Sequence, residues 1–281
     1  MSQDLSYGFH QSIPFAEYQA IPALNYSTLK WMQRSPMHFR HHADNQVPAT
    51  EPQLLGMAAH KVILEPEMTG DFAIWEGGVR RGKEWDWFCA QNEGKTLLRV
   101  KERDLVAFMS AAVRVNPVAF KYLRHGRKEM TMLWRDPAAR RNFKGRADNL
   151  TEIDGEPFIV DLKSTRDCRD FRFGADAFKF GYYIQAAMYA DGFFYLTGTL
   201  PQFVIIAIES KPPHESAVYR LRPHILQKGH DDYAKLLVKL AECEKSGKWP
   251  AAVDSEQDLE LPSYAYEGGG FDMDDLELIA R

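Results

Sequence analysis

The stretch that decides the fold reads GRADNLTEIDGEPFIVDLKST and spans residues 145–165. Near its centre, the pair Asp154-Gly155 stands between two runs rich in apolar and β-branched residues, a pattern that predicts a β-hairpin. Such a hairpin brings Asp148 on the first strand close to Asp161 and Lys163 on the second. The sequence therefore predicts two carboxylates and a lysine beside one another.

Asp161 and Lys163 share one face of the second strand, because side chains alternate between faces, and Leu162 points away. Burying charges beside the apolar run 158–160 costs free energy unless the charges pair or bind a metal. Carboxylate oxygens are ligands that Mg²⁺ prefers, and bound Mg²⁺ polarises a phosphate and lowers the pKa of a bound water. A neighbouring lysine orients that water, or deprotonates it if burial and nearby cations lower the lysine's pKa. These residues predict metal-assisted phosphodiester hydrolysis, and a structural ion pair is the alternative.

Two predicted helices present further candidates. A helix over residues 182–196 carries Gln185 and Tyr189 at i and i+4, where amide and phenol can hold a phosphate or a metal-bound water, or simply form a surface pair. A helix over residues 53–64 contains Gly56-Met57-Ala58-Ala59-His60, and its small residues allow close approach to a sheet. His60 then points toward the carboxylates as a metal ligand, with a packed core histidine as the alternative.

In this order, the motifs resemble the core of the PD-(D/E)xK nuclease superfamily, in the branch that contains RecB-type nuclease domains and phage exonucleases. The segment GMAAH at 56–60, followed by LEP at 64–66, resembles the histidine motif of the RecE-like, exodeoxyribonuclease VIII-like group. The resemblance covers residues from about Tyr26 to Trp249. It implies an α/β fold with a restriction-endonuclease-like core, in which helices flank a mixed central β-sheet.

The resemblance also implies roles for individual residues. The implied ligands of Mg²⁺, for which Mn²⁺ can substitute, are His60, Asp148, Asp161 and the backbone carbonyl of Leu162. The implied catalytic set is Asp148, Asp161, Lys163, Gln185 and Tyr189, with Lys163 positioning the attacking water.

The implied activity is a DNA exonuclease that digests one strand of linear duplex from the 5′ end and leaves a 3′ overhang for recombination. The implied partners are double-stranded DNA ends, further copies of the chain in a ring, and a single-strand annealing protein. Two alternatives are a same-fold endonuclease or single-strand repair nuclease, and a non-catalytic DNA-binding or scaffold protein.

The charge distribution is uneven. The net charge is −4, but residues 249–280 contain no Lys or Arg and hold nine of the 39 acidic residues. Residues 1–248 therefore contain 34 basic and 30 acidic residues, a net charge of +4. A mildly basic body is compatible with DNA binding without demonstrating it.

The remaining composition favours a cytoplasmic protein without a membrane span. Three scattered cysteines form no Cys-x-x-Cys pair and cannot build a four-cysteine iron–sulfur cluster. The N-terminus lacks the features of a signal peptide, and the longest apolar stretch, 184–196, is too short and polar to span a bilayer.

We expect one nuclease domain over residues 1–250 and an acidic tail over 251–281. Within the domain, the predicted parts are an extended lead-in before residue 26, N-terminal helices over 26–125, a catalytic core over 127–222 and a helix over 224–247. The first of the N-terminal helices is predicted to begin at a Ser27 cap and to run to about Arg34. Residues 167–179, after Lys163, are interpreted as a connection beside the site. The tail mixes acids with apolar residues such as Leu259 and Phe271, too many for a purely solvating segment. It is predicted to dock on a subunit or partner or to shield the basic channel, with a disordered terminus as the alternative.

Exposed basic residues near the site are candidate phosphate contacts, with a solvated basic face as the alternative. The candidates are Lys30, Arg34, Arg80, Arg81, Lys83, Arg146 and Arg166. Three of them lie in the glycine-containing segment 72–87, which is predicted to be a mobile loop with tryptophans nearby. Glu129, on a predicted strand, is either a further acid near the metal or a surface residue on an edge strand, and the second interpretation is favoured.

Overall fold

The structure is a computed structural model that describes residues 6–45, 50–66 and 69–261. The strands are β1 (Gly8–His10), β2 (Phe72–Trp75), β3 (Thr96–Arg99), β4 (Arg127–Asp136), β5 (Arg141–Ile153), β6 (Glu156–Thr165), β7 (Gln202–Glu209) and β8 (Ser216–Arg220). The helices are α1 (Phe15–Ala20), α2 (Tyr26–Leu29), α3 (Pro36–Asp44), α4 (Glu51–Leu64), α5 (Lys83–Gln91), α6 (Val100–Val115), α7 (Pro117–Leu123), α8 (Asp170–Lys179), α9 (Tyr182–Thr197) and α10 (Pro223–Ser246). Short 3₁₀ helices span Lys30–Gln33 and Thr69–Asp71.

The central sheet has six strands in the order β1-β4-β5-β6-β7-β8. The β6–β7 pair is parallel and the other pairs are antiparallel, so β6 reaches β7 through a crossover made of α8 and α9. The predicted hairpin is β5–β6. Its turn residues Asp154 (φ 55°) and Gly155 (φ 80°) both have left-handed backbones, as a type I′ turn requires. The predicted mixed α/β fold with flanking helices is confirmed.

Hydrophobic residues on opposite faces of the sheet form two cores. On β6, Ile159 joins the core beneath α9 and α10, whereas Val160 and Leu162 join the core beneath α4 and α6. Successive side chains of β6 therefore enter opposite hydrophobic cores, because helices cover both faces of the sheet. Strand β6 is consequently fixed from two sides, and few of its residues face solvent.

The N-terminal lead-in differs from the extended segment that we predicted. It contains β1, which adds to the sheet beside β4, and α1. The buried Lys144 Nζ donates hydrogen bonds to the main-chain oxygens of Tyr18, Gln19 and Ile21 at 2.8, 2.9 and 2.8 Å. These contacts are distant in sequence, so local patterns could not reveal them.

Three other segments differ from the sequence-based expectation. The predicted helix after Ser27 is α2 followed by a 3₁₀ helix, and its N-cap is Asn25, whose side chain accepts from the Thr28 amide at 2.9 Å. The predicted loop over 72–87 contains β2 and the start of α5, and β2 pairs with β3 in a parallel two-stranded sheet. The connection after Lys163 contains α8.

No helix in the described ranges is both long and apolar enough to cross a membrane. The prediction for the acidic tail falls largely on residues 262–281, which lie outside the described residues.

Candidate active site

The site forms where β5 and β6 separate. The ladder of paired residues between β5 and β6 extends from the turn to the pair Asn149–Val160. Beyond that pair, a side chain of β5, instead of its main chain, accepts the hydrogen bond of a β6 amide. There the Leu162 amide donates to Oδ2 of Asp148 at 2.6 Å. The Asp148 carboxylate thus accepts a hydrogen bond from a strand amide that would otherwise be buried without a partner. We call the place where the two strands separate, between Asp148 on β5 and Leu162 on β6, the β5–β6 fork.

Asp161 and Lys163 occupy the same face of β6, as predicted. Lys163 Nζ pairs with Oδ2 of Asp161, and the Gln185 amide on α9 donates to Oδ1 at 3.2 Å. Burial raises the pKa of Asp161 despite the lysine. Burial opposes the charge on Lys163, but the carboxylates of Asp161 and Asp148 outweigh it and raise the lysine's pKa. Lys163 therefore keeps its proton and can orient a water, whereas the condition for deprotonating one is not met.

His60 reaches the fork from α4, on the opposite face of the sheet from Gln185. Ala58 and Ala59 are buried against the sheet, and a Cβ at Gly56 would lie 3.4 Å from Ser164 Oγ, so small residues allow the close approach. His60 Nδ1 lies 3.4 Å from Oδ2 of Asp148. Burial would lower the pKa of His60, but the carboxylate of Asp148 outweighs it and raises that pKa.

The contact with His60 also changes the pKa of Asp148. Burial opposes its negative charge, but His60, Lys163 and the Leu162 amide together hold the pKa of Asp148 below its usual range. Asp148 is thus anionic, and His60 is its nearest counter-charge when protonated.

Glu129 faces the fork, contrary to the favoured interpretation of a surface residue. It lies between the register pairs Lys128–Asn149 and Met130–Ala147, which places it opposite Asp148. Burial and the negative charge of Asp148 raise the pKa of Glu129 to about 7. Its left-handed backbone (φ 50°) interrupts the strand at this point. Only the register with Asp148, which the sequence of β4 does not contain, identifies this position.

Tyr189 supports the fork from α9. A Cβ at Gly145 would lie 2.7 Å from the Tyr189 ring, so glycine is required for α9 to lie this close to β5. The phenol oxygen accepts from the Arg146 amide at 3.3 Å, and burial raises the pKa of Tyr189 well above its usual value. Tyr189 is a neutral group whose oxygen is already engaged by the main chain, whereas Gln185 contacts Asp161 directly.

The donor set suits a hard divalent cation. Three carboxylates lie at the fork, those of Glu129, Asp148 and Asp161, and oxygen ligands are those that Mg²⁺ prefers. Arg146 Nη1 lies 3.8 Å from Oε2 of Glu129 and partly balances its charge. The ligand atoms of His60, Asp148 and Asp161 do not all lie within 4.8 Å of one another among the described residues. Since ligands on opposite sides of one Mg²⁺ are about 4.2 Å apart, a single ion bound by all three requires at least one of these side chains to move.

A second group of possible ligand atoms is less suitable. One atom each from Cys168, Glu209 and Glu215 lies within 4.8 Å of the others. Burial and Glu209 raise the pKa of the Cys168 thiol to about 11, so it is protonated and a poor metal ligand. One Glu209 oxygen already accepts from the Cys168 amide at 3.0 Å. The fork is therefore the better candidate for a metal site.

Four of the seven predicted DNA contacts are exposed. They are Arg34, Arg81, Lys83 and Arg166. Lys30 is half-buried, and burial together with the charge of Lys163 lowers its pKa. Lys30 therefore lies within electrostatic reach of the fork, and all five residues remain candidates for phosphate contact.

Arg80 and Arg146 are engaged by the protein itself. Arg80 pairs with Glu102 and donates to the Leu97 carbonyl at 3.0 Å. Arg146 donates to the Ile13 carbonyl at 2.6 Å, and its guanidinium lies 4.6 Å from the centre of the Tyr18 ring. These contacts join distant segments, so both arginines hold the fold here, and their contact with DNA stays a prediction.

Comparison with known proteins agrees with this geometry. A family model described as a PDDEXK-like domain of unknown function (DUF3799) matches residues 25–257. No curated protein matches the chain. The crystal structure of a protein from Eubacterium rectale, described as a candidate exonuclease, superposes with a TM-score of 0.63 at 15% identity, over 95% of this chain and 98% of that chain. The structure of SSO0001 gives a TM-score of 0.28 at 12% identity, over 71% of this chain and 98% of that chain, too low to support an inference.

The E. rectale structure supports the fold, and the family match covers most of the chain. The predicted relation to PD-(D/E)xK nucleases is thereby confirmed, while the narrower RecE-like relation stays a prediction. This chain belongs to the family of PDDEXK-like domains.

Proposed function

We propose that this protein is a Mg²⁺-dependent exonuclease that degrades one strand of linear duplex DNA from the 5′ end. The observation that carries the proposal is the β5–β6 fork, where the buried Asp148 and Asp161 lie beside a protonated Lys163. Two buried carboxylates, with a lysine two residues after one of them on the same strand, suit metal-assisted hydrolysis of a phosphodiester.

The residues that would hold Mg²⁺ are His60, Asp148, Asp161 and the carbonyl of Leu162, with Glu129 as an additional acid. Bound there, the cation supplies Lewis acidity that polarises the phosphate and lowers the pKa of a water. Glu129 opposite Asp148 adds negative charge to the same place, which favours a divalent over a monovalent cation.

The chain's own groups position the reactants. Lys163 carries its proton, so Nζ can donate a hydrogen bond to the attacking water and stabilise negative charge that develops on the phosphate. The Gln185 amide donates to Oδ1 of Asp161, and the Leu162 amide donates to Oδ2 of Asp148, so each carboxylate has one oxygen oriented by a hydrogen bond. Fixed dipoles and charges of this kind need little reorganisation during the reaction.

The direction of digestion, the recombination role and the assembly rest on the RecE-like motif around His60. The proposal includes a homo-oligomeric ring, a single-strand annealing protein as partner and a cytoplasmic location. Light scattering of the purified protein, with and without duplex DNA, measures the assembly. A mass equal to one chain under both conditions contradicts the ring.

The central experiment uses linear duplex DNA labelled at either the 5′ or the 3′ end, incubated with protein and Mg²⁺. Early release of mononucleotides from the 5′ label, with the 3′ label retained in long products, supports the proposal. Cleavage of covalently closed circles identifies an endonuclease instead. Binding of DNA without cleavage, with Mg²⁺ or Mn²⁺, identifies a non-catalytic binding protein.

A further inference from the structure

The outer face of α8 carries aromatic rings that the core does not use. Phe173 on the inner face is buried, but Phe171 and Phe178 are 78% and 67% exposed. They are seven residues apart, which places them on one face about 10 Å apart along the helix. Between them, a Cβ at Gly174 would have no neighbour within 4 Å, so the space between the two rings is open.

A row of rings leads from this face toward the fork. Phe178 stacks on Tyr183 with ring centres 5.9 Å apart, and Phe180, 47% exposed, stacks on Tyr182 at 5.8 Å. The Tyr182 ring in turn lies 5.0 Å from Nζ of Lys163. Phe180 is therefore connected to Lys163 through Tyr182, and Phe178 contacts the adjacent Tyr183.

The helix is attached to the catalytic strand. The Thr165 hydroxyl at the end of β6 donates to Asp176 on α8 at 3.1 Å. The exposed face thus has a fixed position relative to Asp161 and Lys163 on the same strand.

Cations accompany the rings. The Arg172 guanidinium lies 5.9 Å from the Phe171 ring centre, and Lys179 Nζ lies 5.5 Å from that of Phe180. Neither cation forms a salt bridge within the part of the chain that the structure describes. Arg166 is also exposed just after β6. An exposed aromatic row with unpaired cations beside it matches the surface that binds single-stranded nucleic acid, where bases stack on rings and phosphates meet cations.

We propose that Phe171, Phe178 and Phe180 form a stacking platform for unpaired nucleotides next to the scissile phosphate. This inference rests on the proposed nuclease function and adds the form of the substrate at the site. Bases in a duplex stack on one another, so their faces are not available to a protein ring. The platform therefore binds the strand only where it has left the duplex.

The test compares two ligands and two variants in Ca²⁺ or EDTA, where cleavage is slow. The ligands are a fluorescent thymidine oligonucleotide and an abasic oligonucleotide of the same length, which keeps the phosphates but lacks bases. The double variant Phe171→Leu/Phe178→Leu keeps apolar side chains and removes the aromatic faces. The matched control is Phe120→Leu, on α7, where the ring is 52% exposed.

The wild type and the control should bind the thymidine oligonucleotide about tenfold more tightly than the abasic one, the size expected for stacking of one base. The double variant should lose most of that preference and keep its affinity for the abasic strand. Thermal melting checks that all variants are folded.

Four outcomes overturn the platform. If the double variant keeps the wild-type preference for the thymidine oligonucleotide, the stacking platform is rejected. A change of oligomeric mass in that variant, with unchanged base preference, identifies the face as a contact between copies of the chain. A wild type that cleaves duplex DNA with Mg²⁺ but shows no base preference leaves the nuclease proposal intact and rejects the platform. A wild type that neither binds nor cleaves DNA rejects both.

Discussion

Strand β5 carries two buried charges whose surroundings differ. Lys144 gives its three ammonium hydrogens to the main-chain oxygens of Tyr18, Gln19 and Ile21. Asp148 lies four residues later. Its Oδ2 accepts a hydrogen bond from the Leu162 amide and lies 3.4 Å from Nδ1 of His60. Its other oxygen has no hydrogen-bond donor among the described residues.

The difference separates a charge that holds the fold from a charge that, under the proposed function, takes part in metal binding and catalysis. Lys144 is fully satisfied by neutral carbonyl groups, so nothing from outside is needed. Asp148 faces Asp161 and Glu129, and like charges at short distance raise one another's pKa and the free energy of the folded state. A divalent cation removes that repulsion, so the fork is more stable when a cation is bound.

The largest effect is expected from the acids and lysine of the fork. Asp161→Asn and Lys163→Met should each lower the initial rate of duplex degradation in Mg²⁺ by at least about a thousandfold, because each removes a group that stabilises the transition state. The control is Lys235→Met, an exposed lysine of α10 paired with Asp232. Near-normal rates in either fork variant would show that the active site lies elsewhere.

Lys144→Met tests the other side of the comparison. It leaves three carbonyl groups without their donor, so the free energy of unfolding in urea should fall by about 3 kcal/mol. The cleavage rate per folded molecule should stay within about threefold, because Lys144 makes no contact with the fork. Lys239→Met on α10 is the exposed control. A large loss of rate with unchanged stability would place Lys144 among the functional charges instead.

The pH dependence of the metal-free protein tests the repulsion at Glu129. Its pKa is about 7 in the folded protein against an ordinary value of 4.5, so the folded state holds the proton more tightly. Stability from this group is therefore full below about pH 4.5 and is lost as the pH rises through 7, by about 3 kcal/mol. Denaturant melts in EDTA from pH 5 to 8 measure this loss.

Glu129→Gln should flatten that part of the profile, because glutamine does not ionise. Saturating Mg²⁺ should also reduce the loss in the wild type, since the cation favours the ionised carboxylate. A wild-type profile that rises between pH 5 and 8 in EDTA, or one that Glu129→Gln leaves unchanged, contradicts the position of Glu129 at the fork.

The smallest effect concerns His60. His60→Ala should weaken Mg²⁺ affinity by about tenfold, measured by calorimetry, because one ligand is lost while the carboxylates remain. DNA affinity in EDTA should change less than about twofold, and His125→Ala, an exposed histidine, should change neither. If His60→Ala unfolds the protein and leaves the metal dependence of the residual activity unchanged, the residue is a packed core histidine.

The sequence predicted the parts of the fold that depend on local order. The Asp154-Gly155 turn and the alternating run before Lys163 define the hairpin, and the small residues before His60 identify the helix that packs closely. The sequence did not reveal the strand at residues 8–10, because its partner β4 lies more than a hundred residues away. Polar contacts that bridge such distances remain hidden for the same reason, as the hydrogen bond from Arg146 to the Ile13 carbonyl shows.

Two features near the site were missed for different reasons. The sequence of α8 predicts a connection rather than a helix, because Gly174 interrupts the pattern and phenylalanines occur on both faces. Glu129 reads as a surface residue because strand alternation does not show which carboxylate lies opposite it on the next strand. Both need the register between elements, which the sequence of one element does not contain.

The parallel pairing of β6 with β7 affects how the protein reaches its active form. The β5–β6 hairpin closes a short loop, so it can form early, while β7 pairs with β6 only after the whole α8–α9 crossover has collapsed, and such non-local contacts form slowly. Asp148, Asp161 and Lys163 belong to the early unit, and Gln185 belongs to the late one. After dilution from denaturant, we therefore expect the acids to gather first and full activity to follow at the rate of the crossover.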